Sequence, residues 1–290
     1  MHSGSLTGAT TPRSGASPRP FILSYPPHYE HTFLIPTSSF LNATQLKDQF
    51  IATLPSPSAD HPDEFESTAE LVARFMGFVA EKFEAEGEGE DVLLLVVSEF
   101  ETRFLRGNEV HGMVSELDGS VEKKKGTFVS LDGTNVAIVR AYYTARILTG
   151  REPKGHESAL LRAVTAGDAR TFLIFGGQGY EEYFDELTSL YTTYSVLVGE
   201  FIQHMAAHLL QLSHTEEARK VYGKGLDIMS WILDPQDRPD SEYLSSAPVS
   251  LPCVGIVQLA LYAVTCRVLG KTPGEIRKFF SGISSEELFV

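Results

Sequence analysis

The residues best suited to act on a ligand lie in one short stretch. Thr171-Phe172-Leu173-Ile174-Phe175 is an apolar run of the kind found in strands buried on both faces, and Gly176-Gly177-Gln178-Gly179 follows it at once. The pattern reads as strand, glycine turn, helix. Glycine tolerates a tight turn and lets a ligand approach bare N–H groups, which is why such turns recur at anion and oxyanion sites. The run lacks the lysine of a phosphate-binding loop and the spacing of a dinucleotide fingerprint, so taken alone it fits a structural turn equally well.

Other side chains with chemical potential read as bland. His204 and His208 stand one helical turn apart in His-Met-Ala-Ala-His, a spacing that can ligate zinc. No glutamate follows the first histidine and no third ligand stands nearby, so the pair reads as satisfied or solvated histidines. Cys253 and Cys266, the only two cysteines, fall inside one apolar helical pattern and read as inert core thiols in a reduced, cytoplasmic compartment. The acidic run from Glu84 to Asp91 carries two glycines and reads as a solvated linker. No metal site is expected.

The elements that must position these residues are set by composition and periodicity. The chain has 290 residues, 42% of them hydrophobic, and a net charge of −14. At about 100–200 residues per domain the length suggests two units, and the acidity argues against nucleic acid and against an anionic membrane surface. Apolar runs such as Val92–Val97 fall short of the roughly 18–20 residues of a membrane span, so a soluble protein is expected.

Met1–Pro20, rich in Ser, Thr, Gly and Pro, reads as a disordered tail. Thr32-Phe33-Leu34-Ile35, ended by Pro36, reads as a strand. From Ser67, Leu71, Val72, Phe75, Met76, Val79 and Phe83 recur at helical spacing, and Ser67 with Glu70 has the form of a capping box. Further helices are expected over Asp91–Arg106 and Val136–Leu148, before a linker at Pro153, Gly155 and His156 that marks the domain boundary. Beyond the glycine turn, a helix over Ser195–Leu212 presents Val198, Phe201, Ile202, Met205, Leu209 and Leu212 on one face. Leu233–Ser250, with three prolines, reads as mostly irregular. Pro252 fits a first helical turn, and the segment through Leu269 is apolar nearly all round, the pattern of a buried helix.

Several ordered blocks carry a family resemblance. They are Ile174-Phe175-Gly176-Gly177-Gln178-Gly179, Glu182-Tyr183-Phe184-Asp185-Glu186-Leu187, Ser246-Ala247-Pro248-Val249-Ser250, Gln258-Leu259-Ala260 and Leu269-Gly270-Lys271-Thr272-Pro273-Gly274-Glu275. Together they resemble the opening of the acetyltransferase domain of fungal-type fatty acid synthase β subunits. Ile35-Pro36-Thr37-Ser38-Ser39-Phe40, Gln45-Leu46 and Ser98-Glu99-Phe100-Glu101 resemble the amino-terminal domain of the same subunit, and the resemblance extends from Arg19 to Ser281.

It implies a helix-rich α/β fold. Residues 1–20 form a tail, 21–155 a small amino-terminal α/β domain, and 156–290 the first part of an acyltransferase domain with an α/β-hydrolase-like core. In the family an acyl group passes from coenzyme A to a serine in a G-H-S-x-G elbow and then to a phosphopantetheinylated acyl carrier protein, with no bound cofactor. By that match Gln178 is the oxyanion-hole position, in the turn formed by Gly176, Gly177 and Gly179. The implied partners are the synthase α subunit, other β subunits and the carrier protein.

No G-x-S-x-G occurs in the sequence, and the resemblance stops at Gly282. Ser281, Ser284 and Ser285 stand outside any elbow. The expectation is therefore an incomplete acyltransferase, inert as an isolated chain; the alternative is a non-catalytic assembly or interaction module of a fatty acid or polyketide-starter synthase.

Overall fold

In the computed structural model, residues 17–25, 29–55, 65, 67–107, 109–117, 133–151, 159–168 and 183–279 are described. Strands β1 (Arg19–Tyr25) and β2 (Tyr29–Ile35) form an antiparallel pair in which Phe21 faces Phe33 and Leu23 faces His31. Phe21, Leu23, Tyr25, Phe33 and Ile35 point into the core. β1 takes in Arg19 and Pro20, which by composition belong to the tail. The alternation that marks a half-buried strand is blurred there because Ile22, an apolar residue, sits on the solvent side.

Helix α1 (Phe40–Thr53) lays Ala43, Leu46 and Phe50 beneath the hairpin. Helix α2 (Thr68–Glu86) begins as its sequence predicts, with Ser67 Oγ accepting the Glu70 N–H at 3.1 Å. Its apolar face buries Leu71, Val72, Phe75, Met76 and Val79 completely, and the Phe75 ring lies 6.1 Å from that of Phe21 and 5.4 Å from that of Phe50. Glu70 is buried and pairs with Arg74 at 2.7 Å, one helical turn on. Gly89, at φ +92°, joins α2 to the next helix where a Cβ would stand 3.0 Å from Leu46 Cδ1, so both its handedness and its bareness are required.

The helix expected over Asp91–Arg106 is two windings in series. Helix α3 (Glu90–Phe100) passes into a π-helical turn, Glu101–Leu105, which stops where Arg106 turns left-handed. Glu101, at the junction of the two windings, faces helix α5 (Gly133–Leu148), where it pairs with Arg146 and accepts from the Tyr142 hydroxyl at 3.3 Å. Helix α4 (Val110–Leu117) lies between them in sequence and packs on α5. Helix α5 crosses α2 closely, and a side chain at Gly77 would place its Cβ 3.3 Å from that of Ala141.

Helix α6 (Ala159–Ala166) leads to α7 (Tyr183–Tyr194), a second π-helical turn (Ser195–Gly199) and α8 (Glu200–Ser213). The helix expected over Ser195–Leu212 is therefore interrupted. Its buried line runs through Val198, Ile202 and Ala206, with Phe201, Met205 and Leu209 partly buried beside it, whereas Leu212, one residue from the helix end, is exposed. Helix α9 (Ile228–Leu233) ends where the proline-rich stretch read as mostly irregular begins, and the short helix α10 (Ser241–Ser245) lies within that stretch.

Helix α11 (Ala247–Val268) starts a turn earlier than Pro252 suggests. Pro248 occupies the first turn, and Pro252 lies inside, where its missing N–H leaves the Pro248 carbonyl without that partner. Nor is α11 buried all round. Val249, Cys253, Ile256, Val257, Ala260 and Val264 are covered, while Leu251 is 59% and Leu259 46% exposed. The helix is 22 residues long and apolar enough to cross a membrane, although Pro248, Ser250, Pro252 and Gln258 break its apolar run in the sequence. Its covered side packs along α7, the position of a core helix. Helix α12 (Pro273–Phe279) closes the described chain.

Among the described residues the only sheet is β1–β2, and one hydrophobic core runs from Phe21 to Val264. The core passes from the first unit to the second where α5 packs on α7. The strand expected over Thr171–Phe175 and the linker at residues 153–156 lie outside the described residues. Replacing Phe75 by Ala should lower stability by about 3–5 kcal/mol in urea unfolding, through lost burial and a cavity. Leu34→Ser, at a side chain 66% exposed, should stay within roughly 0.5 kcal/mol of the parent.

Candidate functional site

Gly176, Gly177, Gln178 and Gly179 lie outside the described residues, so the site is approached through the helix on their carboxyl side. Tyr180, Glu181 and Glu182 separate the glycine turn from the first residue of α7. That residue, Tyr183, is fully buried, and its hydroxyl donates to the Leu244 carbonyl at 2.7 Å and shares a hydrogen bond with the Cys253 thiol of α11. The next ring, Phe184, lies 6.1 Å from Trp231 of α9 and carries the Arg238 guanidinium 4.6 Å above its face. Arg238 also reaches Asp185 at 2.8 Å. The first turn of α7 is thus gripped from three sides.

The loops behind this grip are ordered by their acidic residues. Asp227 caps α9 by accepting from the Ser230 N–H, and Asp240 caps α10 by accepting from the Tyr243 N–H at 2.9 Å. A hydrogen bond from Lys224, together with that backbone donor, holds the Asp240 carboxyl below the usual carboxylate range. Asp234 accepts from the Gln236 N–H at 2.8 Å, and Asp237 accepts from the Ser230 hydroxyl. These carboxylates are engaged in local structure. Among the described residues, no three His, Cys, Asp or Glu side chains come together in a way that would hold a metal ion.

His204 and His208 are both exposed on the outer face of α8. Cys253 and Cys266 are both buried; burial pushes the Cys253 thiol up to about 12 and raises that of Cys266 as well. Neither is a nucleophile at neutral pH. Burial also raises the Glu186 carboxyl on α7.

Sequence reasoning does not reach the Tyr183–Cys253 and Arg238–Phe184 contacts. Tyr183 and Phe184 belong to a block singled out by resemblance, but their partners stand 61 residues on at Leu244 and within a stretch read as irregular. That stretch does carry a signal: Asp240-Ser241 has the composition of a helix N-cap.

Two family models match the chain. One describes the N-terminal domain in fatty acid synthase subunit beta, over residues 17–149; the other describes a starter unit:ACP transacylase in aflatoxin biosynthesis, over residues 173–284. The class that the matches define is the start of a fatty acid synthase β subunit, an N-terminal domain followed by a stretch similar to starter-unit transacylases. The fatty acid synthase subunit beta of Schizosaccharomyces pombe is 42% identical over 273 residues, covering 92% of this chain and 12% of that protein. The Saccharomyces cerevisiae subunit is 41% identical over 273 residues, covering 92% and 13%, and the fatty acid synthase beta subunit TOXC of Cochliobolus carbonum is 36% identical over 259 residues, covering 87% and 12%. The chain belongs to the fungal fatty acid synthase β-subunit family, and it spans 12–13% of the length of these curated relatives.

A thiol with its pKa near 12 is ionised in roughly one molecule in ten thousand at pH 8. Native protein treated with iodoacetamide at pH 8 should therefore leave Cys253 unmodified over a period that fully alkylates the urea-unfolded chain. Mass spectrometry of the Cys253 peptide reads the difference.

Proposed function

We propose that this chain supplies the amino-terminal domain and the oxyanion side of an acyltransferase of fungal-type fatty acid synthesis, and that as an isolated chain it does not turn over. The observation that carries this reading is the order of the two matched stretches, 17–149 and 173–284, on a chain whose core runs unbroken between them. The substrates are an acyl-CoA, acetyl-CoA in the first instance, and the phosphopantetheine thiol of an acyl carrier protein. The partners are the synthase α subunit and other β subunits, in the cytoplasm.

In this chemistry a serine hydroxyl attacks the thioester carbonyl while a histidine accepts its proton, and the C–S bond then breaks to release coenzyme A. The carrier thiol reverses the sequence and regenerates the serine. Negative charge gathers on the carbonyl oxygen at each tetrahedral stage, and a backbone N–H at Gln178 is the donor this chain contributes. Without a G-x-S-x-G elbow in the sequence, the chain holds no nucleophile for the first step.

The exposed Leu251 and Leu259 on α11 favour a second reading, a non-catalytic module that binds other synthase chains through apolar surface. Labelled acetyl-CoA tests the first reading directly. The 290-residue chain should acquire no hydroxylamine-sensitive label; stoichiometric acylation would show a nucleophile outside any elbow and overturn the assignment.

A chimera separates the two readings. When this chain replaces the corresponding segment of the Schizosaccharomyces pombe subunit, acyl transfer should persist. Gln178→Pro, which removes the backbone donor, should then reduce the rate by about 10²–10³-fold. Gln178→Ala, which keeps it, should be mild. A chimera that assembles but ignores Gln178→Pro would support the interaction module.

A further inference from the structure

A part-buried polar cluster joins the two matched stretches, and the proposed acyl transfer does not use it. His111 of α4 lies within the amino-terminal match, and its Nε2 is 2.8 Å from the Tyr194 hydroxyl at the end of α7, within the transacylase match. Its Nδ1 is 3.5 Å from the Tyr143 hydroxyl of α5. The three rings pack on one another, with centroids 5.8 Å apart for His111 and Tyr143, 5.9 Å for His111 and Tyr194 and 6.1 Å for Tyr143 and Tyr194.

Tyr194 is no ordinary helical residue. Its backbone, at φ −120° and ψ 28°, leaves the α-helical region at the point where α7 gives way to the π-helical turn before α8. A joint between two windings is a place where a helix pair can bend. The hydrogen bond from the first domain falls on that joint.

We propose that His111 is a proton-operated pin, which when neutral ties the α7–α8 joint of the transacylase segment to the amino-terminal helices and when protonated lets it go. A neutral imidazole donates through one nitrogen and accepts through the other, so it suits two hydroxyls within an apolar cluster. An imidazolium there loses its hydration, and burial accordingly lowers the His111 pKa below 6.5. Among the described residues, the titratable and charged groups around the cluster include Tyr142, Tyr143 and Arg146 on α5, Glu101 paired with Arg146, Glu109 just ahead of α4, and Tyr194 on α7. Burial raises all three tyrosines, that of Tyr194 to about 12, so they stay neutral in the range where His111 titrates.

Linkage sets the sign. The pinned state binds fewer protons than the released one, so pinning is complete above pH 6.5 and is lost as pH falls through the lowered pKa. Between those limits the open population grows about tenfold for each pH unit.

Hydrogen exchange on the 290-residue chain, expressed as protection factors between pH 7.5 and 5.0, tests this. Amides of α7 and α8 should lose protection, by up to about tenfold per unit, as pH falls from 6.5 toward the lowered His111 pKa, while those of α2 hold. His111→Gln should abolish that slope, and Tyr194→Phe should lower α7–α8 protection already at pH 7.5. His31→Gln removes the other histidine whose pKa burial lowers, and Glu186→Gln the raised carboxyl on α7; both should keep the slope. Retention of the slope in His111→Gln, or equal loss in α2, overturns the proposal. Should that variant fail to fold, the His111 titration followed by NMR in the parent decides, and a pKa at or above 6.5 overturns it.

Discussion

The ion pair between Glu101 and Arg146 is the constraint on which the arrangement of helices depends. Arg146 is 6% exposed, and a guanidinium that far from water is tolerated only with a carboxylate in place; losing one partner of such a pair typically costs about 3–5 kcal/mol. Glu101 stands where α3 passes into the π-helical turn, with its own backbone still α-helical, and from there it reaches Arg146 and Tyr142 of α5 and Arg151 just beyond, at 3.3 Å.

Once α5 is held on that side and pressed against α2 at Gly77, its remaining surface faces α7. That contact is why the two matched stretches share a core. A linker in the sequence, read from Pro153, Gly155 and His156, marks a change of family without marking a break in packing. Inter-domain surfaces within a chain default to polar and mobile. Here α5 and α7 belong to one hydrophobic core, with the Tyr143 and Tyr194 rings 6.1 Å apart and the His111–Tyr194 hydrogen bond between the two stretches.

The legible part of the sequence is local. Helix α2 announces itself because a capping serine, a glutamate three residues on and an apolar stripe all agree, and the structure uses each of them. β1 is hidden by the single apolar residue on its wet face. The prolines of α11 read as boundaries, but Pro248 sits where its missing N–H is harmless and Pro252 forfeits one bond in a helix otherwise held by its packing on α7. The contacts made where the two π-helical turns begin are unreadable, since their partners are remote in sequence: Arg146 stands 45 residues from Glu101, and Tyr194 83 from His111. Gly176–Gly179 lie outside the described residues, and the role read for them comes from resemblance, because nothing in four residues distinguishes an oxyanion site from a bend.

An oxyanion donor acts by being in position before charge develops, so its worth depends on the stiffness of the segment it is attached to. Beyond Gly179, Tyr180, Glu181 and Glu182 lead into α7, and the first two side chains of that helix are fixed by a carbonyl, a thiol, an indole and a guanidinium drawn from Leu244, Cys253, Trp231 and Arg238. The far end of the same helix is fixed by His111 of the amino-terminal domain. Helix α7, which lies in the stretch matched to a starter-unit transacylase, is therefore held at its first turn from within that stretch and at its last residue by the stretch matched to the amino-terminal domain.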